Sequence, residues 1–217
     1  MTPLTATLCA VVAMVGGPAA FVCFAWRRGG RLRTLALGAA MYACAFPLLM
    51  LAIGVGGAAL EPLGGAVLLS VVAGVTEEAS RWLWFRWAQR RGRASRPIDG
   101  VMAGLGHGGL EALWFALPMA FLALGLATDN LIQGTVVPPA IDLLLPGLMR
   151  PVFVLGHVGF SMAVWMGARA GDRRWLWGAI GVHILADLVG FGGPLLFPEA
   201  SHGISVGLLV AVFVGLA

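Results

Sequence analysis

The chain has 217 residues, of which 59% are hydrophobic and 11% charged, and its mean hydropathy is +0.91. Soluble domains carry about 25% charged residues, so the composition excludes an ordinary water-soluble domain and predicts a single integral membrane domain over residues 1–217. The positive side chains behind the net charge of +4 are all arginines, and most of them lie in short runs between apolar segments, which membrane topology explains better than a nucleic-acid-binding surface does.

Apolar runs that are long enough to cross a bilayer, which takes about 20 helical residues, recur along the chain. They cover residues 4–26, 34–60, 63–88, 101–127, 149–169, 175–191 and 203–217. The segment 128–148 contains Pro138, Pro139 and Pro146, and is predicted to be an outer connector or a short interfacial helix. The sequence therefore predicts an all-α, polytopic transmembrane helical bundle of about seven spans.

Arginine clusters follow the first, third and fifth runs. Their members are Arg27, Arg28, Arg31 and Arg33, then Arg90, Arg91, Arg93 and Arg96, then Arg169, Arg173 and Arg174. Because arginine-rich loops stay in the cytoplasm, we expect a multi-pass protein of the cell membrane with its N-terminus outside. Arg150, at the outer start of the fifth run, is the exception.

Ionisable side chains lie inside these apolar runs, where each unpaired charge near a helix centre costs about 3 kcal/mol. They are Glu77, Glu78, Arg81, His107, Glu111, His157, His183 and Asp187. Counted from the nearest arginine cluster at 1.5 Å per residue, those on four different runs lie roughly 14 to 20 Å deep. The shared depth predicts that they face one another in a polar site, built by the spans between residues 63 and 191.

Two histidine–carboxyl pairs have the spacing of one helical face. His107 and Glu111 are four residues apart, and so are His183 and Asp187. Imidazole nitrogens and carboxylate oxygens are ligands that zinc accepts, and a catalytic zinc needs three of them and an open position. His107, Glu111, His157, His183 and Asp187 are therefore candidate metal ligands.

Glu77 and Glu78 are adjacent, about 100° apart around the helix axis, so only one of them can point squarely at the centre of the site. Either is a candidate general base that activates water, and Arg81 lies within one turn of both and can neutralise the other. The alternative for these residues is a structural ion pair that locks helices together. A structural role is also open for His157, which is alone on an apolar face.

The motifs resemble one family in order and in placement. They are Glu-Glu-Ala-Ser-Arg ending at Arg81, Gly-Leu-Gly-His-Gly-Gly-Leu-Glu around His107, a lone His157, and His-Ile-Leu-Ala-Asp from His183. Over the third to sixth runs they resemble the YhfC family of intramembrane metalloproteases, which is related to the CAAX-protease and bacteriocin-processing membrane peptidases and to the PrsW proteases.

The resemblance implies a glutamate-dependent endopeptidase that acts on membrane-protein or peptide substrates in the lipid bilayer. It maps the family's glutamate pair onto Glu77 and Glu78, its middle histidine onto His107, and its last pair onto His183 and Asp187. It implies zinc as the cofactor, or histidines that position water and form an oxyanion hole without a metal.

Two other classes of protein use similar residues. A haem-binding electron-transfer protein uses two facing histidines as axial ligands, but it has no need for four intramembrane carboxyl groups. A proton-coupled or cation-coupled transporter uses carboxylates and histidines as a relay, but it usually carries inverted repeats, and none is visible. His202, outside these motifs, is assigned no role.

Overall fold

The computed structural model describes residues 1–132 and 135–196, and within these residues it is helical, with no β-strand. Six helical segments of this part of the chain are long and apolar enough to cross a membrane. The helices are α1 (Pro3–Arg27), α2 (Leu32–Ala59), α3 (Pro62–Arg90), α4 (Pro97–Thr128), α5 (Ala140–Ala170) and α6 (Arg174–Asp187). A π-helix (Leu188–Gly192) and a short α7 (Gly193–Leu196) follow α6 directly.

The predicted fold class is confirmed: the protein is an all-α, multi-pass membrane protein. Each of the first six predicted runs corresponds to one of the helices α1 to α6. The seventh predicted run, residues 203–217, lies outside the described residues.

The prediction of a connector over residues 128–148 is wrong for its second half, because α5 begins at Ala140. Pro146 and Pro151 lie inside this helix. Each proline lacks an N–H and removes one intrahelical hydrogen bond, but membrane helices tolerate proline where neighbouring helices compensate. Packing of α5 against α1 and α4 therefore overrides the local helix-breaking signal.

Local signals do set several helix ends. Pro3, Pro62 and Pro97 begin α1, α3 and α4, where the fixed proline φ suits the first turn and the missing N–H costs nothing. Gly171 ends α5 with a left-handed φ of 73°, which glycine adopts without steric cost. The turn at Gly171 leads directly into α6.

The helices pack in two overlapping groups. α4 packs against α1, α2 and α5, whereas α3 packs against α2, α5 and α6. The backbones of α3 and α4 are not among the closely packed pairs of the described chain. Polar side chains bridge these two helices instead, so the space between α3 and α4 is where the predicted polar site forms.

Glycines bring α2 and α4 into backbone contact. A Cβ atom on Gly38 would overlap the backbone carbonyl of Ala103, and one on Gly106 would overlap the carbonyl of Leu35. Such contacts are the usual reason for small residues at membrane-helix interfaces. The contact also fixes the depth of His107, the next residue along α4.

Replacement of Gly38 by alanine should therefore destabilise the bundle by about 2–3 kcal/mol, because overpacking against backbone forces α2 away from α4. The measurement is thermal unfolding in detergent, followed by tryptophan fluorescence. Gly54→Ala on the same helix is the matched control, since a Cβ there meets nothing within 4 Å. Equal melting temperatures for the two variants would contradict the close approach.

Candidate active site

The structure brings all eight ionisable residues singled out in the sequence into one cluster between the helices. Glu77, Glu78 and Arg81 come from α3, His107 and Glu111 from α4, His157 from α5, and His183 and Asp187 from the end of α6. The prediction of a shared depth agrees with these contacts. The eight residues lie on four different helices, and the packing of these helices brings their side chains into contact.

One carboxylate oxygen of Glu77 is the centre of the cluster. Its Oε2 atom lies 2.7 Å from Nε2 of His107 and 3.4 Å from a guanidinium nitrogen of Arg81. The same oxygen is 3.9 Å from Nδ1 of His157 and 3.9 Å from Nε2 of His183. Imidazole rings from three helices therefore face a single carboxylate oxygen.

Glu78 holds a different part of the cluster. It is completely buried, and its Oε1 atom accepts hydrogen bonds from Arg81 and, at 2.7 Å, from Nδ1 of His183. The other ring nitrogen of His183, Nε2, faces Oε2 of Glu77, 3.9 Å away, and Oδ2 of Asp187, 3.6 Å away. Glu78 thus orients both the arginine and the histidine.

The ring of His157 is also oriented by one partner at each of its nitrogens. A guanidinium has only donors, so Arg81 must donate to Nδ1 of His157, 2.7 Å away. The proton of a neutral ring is then on Nε2, which contacts the carboxylate of Glu111. His157 is therefore held between Arg81 and Glu111.

Arg150 belongs to the cluster, although it was not among the residues predicted from the sequence. It donates to Glu111 across 2.8 Å, and its guanidinium lies 3.9 Å from the ring centre of Phe115 and 5.0 Å from that of Phe153. The sequence did contain a signal for this role, because Arg150 is the one arginine near the outer end of a predicted run. An arginine at the wrong end of a span indicates a partner inside the bundle.

Tyr42 was also missed. It is the chain's single tyrosine, it is buried, and its ring meets that of His107 edge-on with 5.2 Å between the centres. It lies on α2, which carries no ionisable residue at this depth, so charge patterns gave no reason to consider it.

A cavity of about 380 Å³ leads to the cluster. Its polar lining consists of Tyr42, Glu77, Glu111, Arg150, His157, His183 and Asp187, and its apolar lining includes Leu49, Met50, Ile53, Leu69, Trp114, Phe115, Phe153 and Phe191. Glu78, Arg81 and His107 do not line this cavity and are completely buried. The cluster therefore has an inner layer and an outer layer, with Glu77 at the boundary.

The cavity extends toward one end of the bundle on every helix that lines it. On α3 the lining runs from Leu69 to Glu77 and stops there, and on α6 and the π-helix it runs from His183 to Phe191. These segments point to the end that carries the α2–α3 and α4–α5 connections. The exposed fraction of the side chain rises in the same direction, from 5% for Glu77 to 21% for Asp187. This end is opposite to the arginine clusters.

The residues fit a divalent metal in donor type and in orientation. Ligand atoms of Glu77, His107 and His157 lie within 4.8 Å of one another. His183 has one nitrogen anchored by Glu78 and the other facing Glu77, which is the arrangement of histidines that bind metals. His157 is anchored by Glu111 in the same way, and its other nitrogen faces Glu77 but accepts a hydrogen bond from Arg81.

The net charge of the cluster also suits a divalent metal ion. Arg81 pairs with Glu78, and Arg150 pairs with Glu111. Glu77 and Asp187 remain, and their nearest neighbours are mainly histidines. With neutral histidines the cluster carries two excess negative charges in a poorly solvated place, and one divalent cation would balance them.

A buried cluster of glutamates and histidines, reached by a cavity within a multi-pass membrane protein, is the kind of site that a membrane-embedded hydrolase uses. Comparison with protein families agrees: the model of the YhfC intramembrane metalloprotease family matches residues 11–135, more than half of the chain, and the chain belongs to this family. This assignment favours the protease interpretation over the transporter and haem alternatives.

The matched region differs from the region of resemblance expected from the motifs. It contains Glu77, Glu78, Arg81, His107 and Glu111 but ends before α5, so it includes the third and fourth spans and not the fifth and sixth. The comparison thus says nothing of His157, His183 and Asp187, which the structure joins to the cluster. No curated protein and no solved structure matches the chain.

Proposed function

We propose that this protein is an intramembrane endopeptidase that hydrolyses peptide bonds of membrane or membrane-proximal substrates. The observation that carries the proposal is the position of Glu77, a carboxylate at the end of a cavity with imidazoles from three helices around one of its oxygens. Membership of the YhfC family supports the same reaction class.

Glu77 is the general base in this proposal, and Glu78 is a positioning residue. Glu77 lines the cavity, whereas Glu78 is completely buried and is occupied by Arg81 and His183. A base must reach the water that attacks the substrate, and only a residue that faces the cavity meets this condition.

The proposed reaction is the hydrolysis of an amide. Glu77 accepts a proton from a water molecule as the water oxygen bonds to the carbonyl carbon of the substrate. The carbon–nitrogen bond then breaks, and Glu77 returns the proton to the leaving nitrogen. Glu111 and Glu78 keep the rings of His157 and His183 in place during these steps.

We assign a zinc ion to His107, His157 and His183, with Glu77 beside them. The metal would supply Lewis-acid polarisation of the scissile carbonyl. Ligation through Nδ1 of His157 requires Arg81 to release that nitrogen and to keep its bonds to the two glutamates. Glu111, which the sequence suggested as a ligand, then orients His157 through Nε2, and Glu78 orients His183 through Nδ1. Asp187, the other suggested ligand, lies beside Nε2 of His183.

Metal content gives a direct test of this assignment. Plasma mass spectrometry of the purified protein should find about one zinc per chain, and the zinc should be lost in His107→Ala and in His183→Ala, because each removes one of three ligands. His202→Ala is the matched control and should keep its zinc. Zinc-free wild-type protein, or equal zinc in all variants, would refute the metal site.

Substitution of the base tests the reaction. Glu77→Gln should lower proteolysis by about 100-fold or more, since the amide cannot accept the proton. The measurement is the appearance of new N-termini in the membrane fraction of cells that express each variant. Glu61→Gln, at the exposed start of α3, is the same chemical change outside the cluster and should leave cleavage unchanged. Full activity of Glu77→Gln would exclude its role as base.

We further propose that substrates enter from the outside of the cell membrane. The cavity faces the end opposite to the arginine clusters, and the positive-inside rule assigns those clusters to the cytoplasm, with the N-terminus outside. The apolar rim, with Trp114, Phe115 and Phe191, suits a hydrophobic segment that leaves the bilayer at this face.

Thiol labelling tests the side of entry. In a chain whose Cys9, Cys23 and Cys44 are replaced by alanine, Met50→Cys should react in intact cells with a maleimide that does not cross membranes. Leu51→Cys should stay unmodified, because this neighbouring position is exposed outside the cavity, on a surface that meets lipid. Labelling of Met50→Cys only in inverted vesicles would place the cavity on the cytoplasmic side.

A further inference from the structure

A second cavity lies at the opposite end of the bundle, where α3 ends and α5 turns into α6. Its volume is about 550 Å³. It is lined by Trp82, Leu83, Arg86, Trp87, Arg90, Arg91, Gly171 and Arg173. None of these residues belongs to the cluster around Glu77, so the second cavity has no part in the proposed peptidase reaction.

The lining carries four positive charges without a matching carboxylate. Within the described parts of the chain, none of its arginines forms an ion pair with an acidic side chain. The nearby Asp172 accepts a hydrogen bond from the backbone N–H of Arg174 and does not line the cavity. An uncompensated group of four guanidinium ions attracts an anion.

Part of this lining is held in place before any ligand binds. Arg86 is half-buried, donates to the carbonyl of Ala168 across 3.5 Å, and lies 5.8 Å from the ring centre of Trp82. The guanidinium of Arg91 is 4.6 Å from the ring centre of Trp87. At Gly171 the left-handed backbone lets the turn approach, so that a Cβ there would sit 3.8 Å from Arg86. The cavity is thus a shaped site on α3 and the α5–α6 turn.

We propose that this cavity binds the phosphate of an anionic phospholipid. Guanidinium groups bind phosphate oxygens in pairs, and basic pockets between membrane helices at the arginine-rich side are suited to lipid headgroups. Trp82 and Trp87 have the amphipathic character of residues at headgroup depth. Leu83, which is 67% exposed, continues the cavity wall along the bilayer and offers an apolar surface to the acyl chains.

Native mass spectrometry can measure the binding. The full chain in detergent is titrated with phosphatidylglycerol, with phosphatidylcholine as the neutral comparison, and separately with inorganic phosphate. The test variant combines Arg90→Gln, Arg91→Gln and Arg173→Gln, all at exposed positions, so that folding is preserved. The matched control combines Arg27→Gln, Arg28→Gln and Arg33→Gln, which removes three arginines at the same end, outside the cavity.

The wild type and the control should bind phosphatidylglycerol at least tenfold more tightly than the test variant does, with no such difference for phosphatidylcholine. If the test variant loses affinity for inorganic phosphate but not for phosphatidylglycerol, the cavity binds a soluble phosphate, and the proposal of a lipid ligand is rejected. An equal loss in the test variant and the control, or no loss in either, would overturn the proposal, because binding would then follow overall charge.

Discussion

The burial of Arg81 inside the bundle is the constraint on which the rest of the site depends. Its guanidinium is completely shielded from solvent, and it contacts Glu77, Glu78 and His157 at once. A buried ion is tolerated only when its donors are satisfied, and one of the partners of Arg81, His157, lies on α5, so α3 and α5 cannot separate without leaving a buried N–H of the guanidinium without its partner. Through Glu78 the same arginine is linked to His183, which brings α6 into the arrangement.

The requirement for charge balance also explains the two layers of the cluster. The inner layer, with Arg81 and Glu78, is close to neutral and holds the helices and rings in place. The outer layer, with Glu77 and Asp187, has an excess of negative charge and faces the cavity. A water molecule or a substrate that enters through the cavity meets the outer layer, whereas the inner layer supplies the rigidity that a preorganised site needs.

The cavities at the two ends of the bundle differ in the charge of the residues that line them. At the end opposite to the arginine clusters, the cavity combines acidic and aromatic side chains and gives access to Glu77. At the other end, arginines and tryptophans line a separate cavity with a surplus of positive charge. The first arrangement suits a peptide substrate and a metal, and the second suits phosphate. On α3, Glu77 is 13 residues, about 20 Å of helix, from Arg90 of the proposed lipid site.

Composition and apolar run lengths alone determined that the chain is an all-α membrane protein, because continuous apolar runs of about 20 residues match a membrane-spanning helix, whose backbone groups bond to one another in lipid. The cost of charge in lipid likewise singled out the eight residues of the cluster. Tertiary structure decided the remainder: the early start of α5, the entry of Arg150 and Tyr42 into the site, and the choice between Glu77 and Glu78 as the residue that faces the cavity. These features depend on which helix lies beside which and how each is rotated, and spacing along one chain does not contain that information.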